Sequence, residues 1–229
     1  MPPENSLIEL HDVSKVYQLD KKRSVTAVKG INLCVDAGEF FVITGRSGCG
    51  KTTLLNLISG LTNPTTGQVL LDQIEVWKLP DLEQSLMRNK KIGFVFQFPS
   101  LMPSLTALEN VILPTIVERN NDQASVRERA ENLLAEVSLA DKLDSYPRQL
   151  SAGQQQRVVV ARSLINQPEL LLADEPTSNL DEQTEQEIMA LIRQIHQQRG
   201  ITILLVTHTT ELVPFGTHSL RMAGGNIVS

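Results

Sequence analysis

The stretch Gly45-Arg46-Ser47-Gly48-Cys49-Gly50-Lys51-Thr52-Thr53 combines glycines, one lysine and two threonines in an order that suits wrapping a phosphate chain. Glycines let backbone N–H groups approach anionic oxygens without an intervening Cβ. Lys51 supplies a point charge for the outer phosphates, and the Thr52 hydroxyl can ligate Mg²⁺. The spacing Gly-x-x-x-x-Gly-Lys-Ser/Thr has this meaning only where a strand enters and a helix leaves. Both flanks are present: the apolar run 39–44 precedes the loop, and residues 53–60 read as a helix ending at Gly60.

A second chemical signal is Leu170-Leu171-Leu172-Ala173-Asp174-Glu175, an apolar run with the character of a buried parallel strand that ends in two adjacent carboxylates. Ligands of open α/β sheets bind beyond the C-terminal ends of strands. There Asp174 can hold Mg²⁺ through water while Glu175 reaches an attacking water. His208 follows another core run, 201–206, at the same end of its strand. A lone histidine is more often structural, but these three features could converge on one phosphate.

The elements that must position these groups follow from periodicity. Residues 7–17 and 26–35 alternate apolar and polar side chains around the charged connection Asp20-Lys21-Lys22-Arg23, which predicts an antiparallel β layer. A turn at 63–67 leads to a short strand, 68–71, and Asp81 is expected to cap a helix to Arg88. Residues 92–96 return as a buried strand that ends at Gln97. Beyond it, 98–105 is apolar and broken by prolines, and 106–117 is helix-like but carries Pro114. Ser125 to Glu128 reads as a capping box, with Ala130, Leu133, Leu134 and Val137 at helical spacing behind it. Ser151 and Gly153 open another helix, with Val158, Ala161 and Ile165 on one face; as a local signal they are ordinary caps. Asp181 is expected to cap a helix whose apolar face is Ile188, Leu191, Ile192 and Ile195, and the tail 219–229 reads as a closing hairpin. The sum is one α/β domain over 1–229, with a helical subdomain at about 98–164 inserted in the α/β core.

With 229 residues the chain can bury a sizeable core, and its net charge of −5 argues against a nucleic-acid footprint spread over the whole surface. No basic n-region opens the chain, and no run approaches the ~18 apolar residues of a membrane span. A cytoplasmic chain is therefore expected. Cys34 and Cys49 are too few for a disulfide framework, and His11, His196, His208 and His218 show no ligand spacing. Cys49 lies near a helix N-terminus that should favour its thiolate, so bound nucleotide is expected to shield it from alkylation.

The whole chain resembles the ATP-binding subunit of an ATP-binding cassette (ABC) transporter. The motifs stand in that family's order: Gly45 to Thr53 as Walker A, Gln97 as Q-loop, Leu150-Ser151-Ala152-Gly153-Gln154 as signature, Asp174-Glu175 as Walker B with its acid, Ser178-Asn179-Leu180-Asp181 as D-loop and His208 as switch histidine. The run 94–98 through 105–111 is similar to the lipoprotein-release, macrolide-export and cell-division branch. Ala152 and Thr209 depart from the pattern, standing where a glycine and an acidic residue are usual.

The resemblance implies a P-loop NTPase core and hydrolysis of ATP with Mg²⁺. It implies Glu175 as base, Gln97 and His208 as γ-phosphate sensors and Lys51 on the phosphates. Nucleotide would be held by Tyr17 on the adenine, by Gly45, Arg46, Ser47, Gly48, Cys49, Gly50, Lys51, Thr52 and Thr53, and by Ser151, Gly153 and Gln154 of a second copy paired head to tail. Thr52, Gln97 and Asp174 would serve the metal. A separate integral-membrane permease is implied, with this subunit peripheral on the inner face of the membrane. The crowding of Phe98, Leu101, Met102, Leu105 and Leu108 after Gln97 leads to the expectation that segment 98–113 docks a permease helix. The family also contains importer ATPases and soluble ATPases that act on nucleic acid or ribosomes. No nucleic acid is expected here, because this acidic single cassette has neither a basic extension nor a coiled-coil insertion.

Overall fold

The structure, a computed structural model, describes residues 6–20, 23–117 and 122–228. Its centre is a six-stranded sheet in the order β10-β9-β3-β8-β7-β6. These strands are β3 (Phe40–Thr44), β6 (Ile92–Val95), β7 (Leu170–Asp174), β8 (Thr202–Thr207), β9 (His218–Ala223) and β10 (Asn226–Ile227). All neighbours pair parallel except β10, which runs antiparallel to β9 at one edge. Every residue of β3 and β8 is buried, as expected for strands covered on both faces.

Successive residues of these strands feed two separate cores. Phe40, Val42, Leu171, Ala173, Ile203 and Leu205 face a layer of helices. Phe41, Ile43, Leu170, Leu172, Leu204 and Val206 face the other way, toward helix α1 (Lys51–Ile58) and a second sheet. That second sheet is antiparallel, in the order β2-β1-β4-β5, from β1 (Ser6–Gln18), β2 (Ser24–Asp36), β4 (Thr66–Leu71) and β5 (Ile74–Glu75). Lys15 pairs with Val28 and Val16 with Thr26, so Ala27 is an extra residue in β2, a bulge that turns the strand locally.

Between β6 and β7 the described residues hold α3 (Ala107–Ile112), α4 (Gln123–Glu136), α5 (Ala152–Leu164) and two 3₁₀ turns. Helix α2 (Asp81–Lys91) precedes β6, and α6 (Glu182–Arg199) joins β7 to β8. Thr106 and Ser151 each close a capping box at the start of α3 and α5. Asp181 accepts the Thr184 N–H at the start of α6.

Several sequence expectations are corrected at element ends. Pro80, not Asp81, precedes α2, and Asp81 makes no capping bond; its charge instead meets the positive end of the helix dipole. Helix α4 starts earlier than expected, capped by Asp122, which accepts from the N–H groups of Ala124 and Ser125. The strand ends at Val95, two residues before Gln97. The apolar segment 98–113 divides: Leu101, Leu108 and Val111 are core, whereas Phe98 and Met102 are exposed.

Candidate functional site

The parallel register brings Thr44 opposite Thr207 and Asp174 opposite Val206, so three strands end level. The chain leaves them at Gly45, Glu175 and His208, which places the loop, the acid and the imidazole at one edge. The Gly45 N–H bonds the Thr207 carbonyl at 3.2 Å, and the Glu175 N–H bonds that of Val206 at 2.9 Å. Both loop ends are therefore tied to β8.

Two glycines of the loop are required by close approach. A Cβ on Gly45 would lie 2.4 Å from the Met222 carbonyl oxygen. Gly50 has φ +107°, and its Cβ would lie 2.1 Å from the carbonyl oxygen of Ala27, the bulged residue of β2. Cys49 lies between them with only 7 % of its surface exposed, its side chain in the core beside Met222. This corrects the expectation of an accessible thiolate; what Cys49 offers a phosphate is backbone.

Lys51 is 5 % exposed. Its Nζ donates to the carbonyls of Gly45 at 2.8 Å and Arg46 at 3.3 Å, and it lies 3.5 Å from Glu175 Oε1. The other carboxylate oxygen of Glu175 is 2.8 Å from His208 Nδ1. Glu175 thus bridges the loop lysine and the histidine, and it does so from a left-handed backbone, φ +45°. Strain of this kind in a non-glycine residue is maintained where the surroundings over-determine it.

Asp174 accepts a hydrogen bond from Thr52 Oγ1 at 3.2 Å. Burial raises its carboxyl above the ordinary carboxylate value; the Thr52 bond opposes this, neighbouring Glu175 adds to it, and Lys51 opposes it. With the side-chain oxygen of Gln97, these residues form an all-oxygen donor set of the kind a hard cation takes. Among the described residues no group of three or more His, Cys, Asp or Glu could hold a metal ion. One carboxylate and one hydroxyl fit Mg²⁺, which keeps waters and takes substrate phosphates as its remaining ligands.

Two hollows flank the loop. One of about 240 Å³ is lined by Ser47, Lys51, Thr52, Gln97, Asp174 and Glu175, with Ala27 at its wall. The other, of about 660 Å³, shares Ser47 and Glu175 with the first and adds Arg46, His208, Thr210 and Arg221. Gln97 is held in place from behind, its carbonyl accepting from Asn179 Nδ2 at 3.1 Å.

Tyr17, Ser151, Gly153 and Gln154 line neither hollow. Lys15 Nζ stands 5.1 Å from the centre of the Tyr17 ring. Ser151 and Gln154 bond each other across the start of α5, at 3.2 and 2.9 Å. Gly153 packs against α6, where a Cβ would lie 2.6 Å from Thr184 Cγ2. Sequence reasoning missed Ala27, Asn179 and Arg221 as parts of the site's surroundings. Asn179 stood in a recognised motif, but Ala27 and Arg221 reach the loop only through strand pairing, which leaves no local signal.

Comparison with known proteins identifies the family of the chain. A family model described as "ABC transporter" matches residues 28–178. The chain is 43 % identical over 98 % of its length to the lipoprotein-releasing system ATP-binding protein LolD of Geobacter metallireducens, covering 99 % of that protein. It is 46 % identical over 96 % of its length to the macrolide export ATP-binding/permease protein MacB of Rhodopirellula baltica, of which it spans 32 %. Among solved structures, the dimeric ATP-binding cassette MJ0796 in a post-hydrolysis state bound to ADP and Pi superposes with a TM-score of 0.89 at 40 % identity, covering 97 % of each chain. No helix among the described residues is long and apolar enough to cross a membrane.

Proposed function

This chain belongs to the ABC transporter family of ATP-binding, ATP-hydrolysing cassettes, and from that premise we propose that two copies pair head to tail around ATP and power an integral-membrane permease engaged in export or lipoprotein extraction. One observation carries the assignment of roles: Glu175 contacts both Lys51 and His208, at 3.5 and 2.8 Å, at the mouth of the phosphate loop. The loop N–H groups and Lys51 take the β- and γ-phosphates. Glu175 accepts a proton from the attacking water as the bond between the γ-phosphorus and the bridging oxygen breaks, and ADP leaves with the electron pair. His208 orients the Glu175 carboxylate. Thr52, Asp174 and Gln97 would hold Mg²⁺, which when bound neutralises phosphate charge. Catalysis in this reading is mainly positioning and electrostatic stabilisation.

Ser151, Gly153 and Gln154 have no place at their own subunit's loop, which fits their service to the partner's γ-phosphate. There the N-terminus of the 13-residue helix α5 and the Ser151 hydroxyl would present donors and a positive dipole end. Tyr17 would stack on the adenine. We assign the chain as one nucleotide-binding domain with residues 98–164 as its helical subdomain. The permease would dock on a groove of about 540 Å³ whose wall includes Leu61, Phe94, Phe96, Pro114 and Val117, beside exposed Phe98 and Met102. Docked there, the subunit lies on the cytoplasmic face of the membrane. Apolar surface of this kind on a soluble domain marks an interaction site.

The test is Glu175→Gln, which keeps shape and hydrogen bonds but loses the base. Light scattering with Mg-ATP should show a homodimer, and without nucleotide a monomer, while hydrolysis nearly stops. A variant that stays monomeric with ATP demonstrably bound would show that the sandwich needs the permease.

A further inference from the structure

The larger hollow shares the start of the phosphate loop, Gly45 to Ser47, and Glu175 with the nucleotide site, and continues beyond them to His208, Thr210 and Arg221. Its wall carries two guanidiniums, Arg46 from the loop and Arg221 from β9, together with His208 and the hydroxyl residues Thr44, Ser47 and Thr210. Glu175 is the one carboxylate in that wall, and His208 and Lys51 already engage it. Neither guanidinium has a side-chain partner among the described residues. Two exposed guanidiniums with no carboxylate partner among the described residues give the hollow the chemistry for a small oxyanion, because guanidinium binds phosphate through parallel charge-assisted hydrogen bonds.

The two hollows meet at Ser47 and Glu175, the point where hydrolysis separates inorganic phosphate from ADP. The smaller hollow contains Asp174 as well as Glu175 and would be filled by ADP after turnover. Phosphate leaving on that side passes a second carboxylate and the remaining nucleotide; phosphate leaving on the other passes Arg46, His208 and Arg221. The electrostatic gradient favours the second route. We propose that the Arg46–His208–Arg221 hollow is an inorganic-phosphate subsite through which the product of hydrolysis departs. The proposal deepens the ATPase reading and rests on it for the source of the phosphate, while the binding itself is a property of the hollow.

Arg221 is the residue to change, because its side chain is exposed, holds no part of the fold and does not belong to the phosphate loop. Inorganic phosphate is titrated into the full ADP-loaded chain and followed by broadening of its phosphorus resonance, with ADP affinity and oligomeric state measured alongside. Arg221→Ala should weaken phosphate binding about tenfold, the loss expected for one charge-assisted hydrogen bond. Arg221→Lys should recover part of it, and ADP affinity should be unchanged in both. Unaltered phosphate binding in Arg221→Ala would overturn the proposal. So would an equal loss of ADP affinity, or a changed oligomeric state with phosphate binding intact, which would assign the hollow to nucleotide or to a second copy's carboxylates. Arg221-dependent binding in a chain that hydrolyses no ATP would uphold the subsite and remove the ATPase reading instead.

Discussion

The half-buried carboxyl of Asp174 sets a conflict between stability and activity that can be measured. Its carboxyl is raised in the folded state by burial, so the folded chain binds the proton more tightly than the unfolded chain does. The stability this carries is complete below the unfolded aspartate value of about 3.9 and is lost as pH rises through the folded value. Asp174→Asn retains an acceptor for Thr52 and removes the ionisation. The nucleotide-free variant should therefore melt at or above the wild-type temperature at pH 7, with the difference closing in acid, while turnover is lost. A thermal melt series across pH checks it; a variant that melts lower at pH 7 would contradict the sign. Cys49 provides a second measurement at this scale. Its thiol is packed in the core, so alkylation should be slow with and without Mg-ATP, and rapid labelling of the nucleotide-free chain would place the thiol outside the core.

At the scale of elements, the connection after β6 is held by side chains rather than by a strand ladder. Gln156 of α5 reaches the Phe96 carbonyl at 3.5 Å, Asn179 the Gln97 carbonyl at 3.1 Å, and Arg162 of α5 the Ser100 carbonyl at 2.7 Å and hydroxyl at 3.2 Å. Burial lowers the Arg162 pKa, but an arginine keeps its charge regardless, so its hydrogen bonds to Ser100 are charge-assisted. Arg162→Met should destabilise the chain by about 2 kcal/mol in urea unfolding. It should also lower kcat more than it raises the KM for ATP, because it frees Ser100, three residues after Gln97, and so loosens the connection that carries Gln97 at the wall of the smaller hollow. Arg162→Lys should restore less than half of the lost stability, since an ammonium cannot reproduce the fork on Ser100. Full rescue by lysine would mean that charge alone matters there.

The whole molecule sets the phosphate loop, Glu175 and His208 at one edge of its parallel sheet and places Ser151, Gly153 and Gln154 outside the hollows beside that loop. This division predicts that a Ser151→Arg change in the Glu175→Gln background abolishes the ATP-dependent dimer while ATP binding persists. The same substitution removes the capping box at α5, which should cost about 1 kcal/mol. A melt of the double variant separates that loss from the loss of association. Dimerisation that survives Ser151→Arg would exclude the signature segment from the interface.

Local order determined much of this from sequence. Residues 45–53 announced a phosphate loop because its glycines, lysine and hydroxyls are contiguous, and the apolar runs before Asp174 and His208 announced buried strands by their length. Ser151 and Asp181 were legible as helix starts because a cap acts within three residues. Tertiary structure alone decided that β3 lies between β8 and β9, with β7 beyond, so that Thr44, Asp174 and Thr207 end level. That order arises from burying both faces of each strand at once, a condition set by partners distant in sequence, more than a hundred residues apart for β3 with β8 and β9. The same condition set the bulged carbonyl of Ala27 against Gly50, placed Arg221 beside the loop, and divided segment 98–113 between core and surface. No periodicity within those stretches could have assigned them, because each position depends on which surface the remainder of the chain had left uncovered.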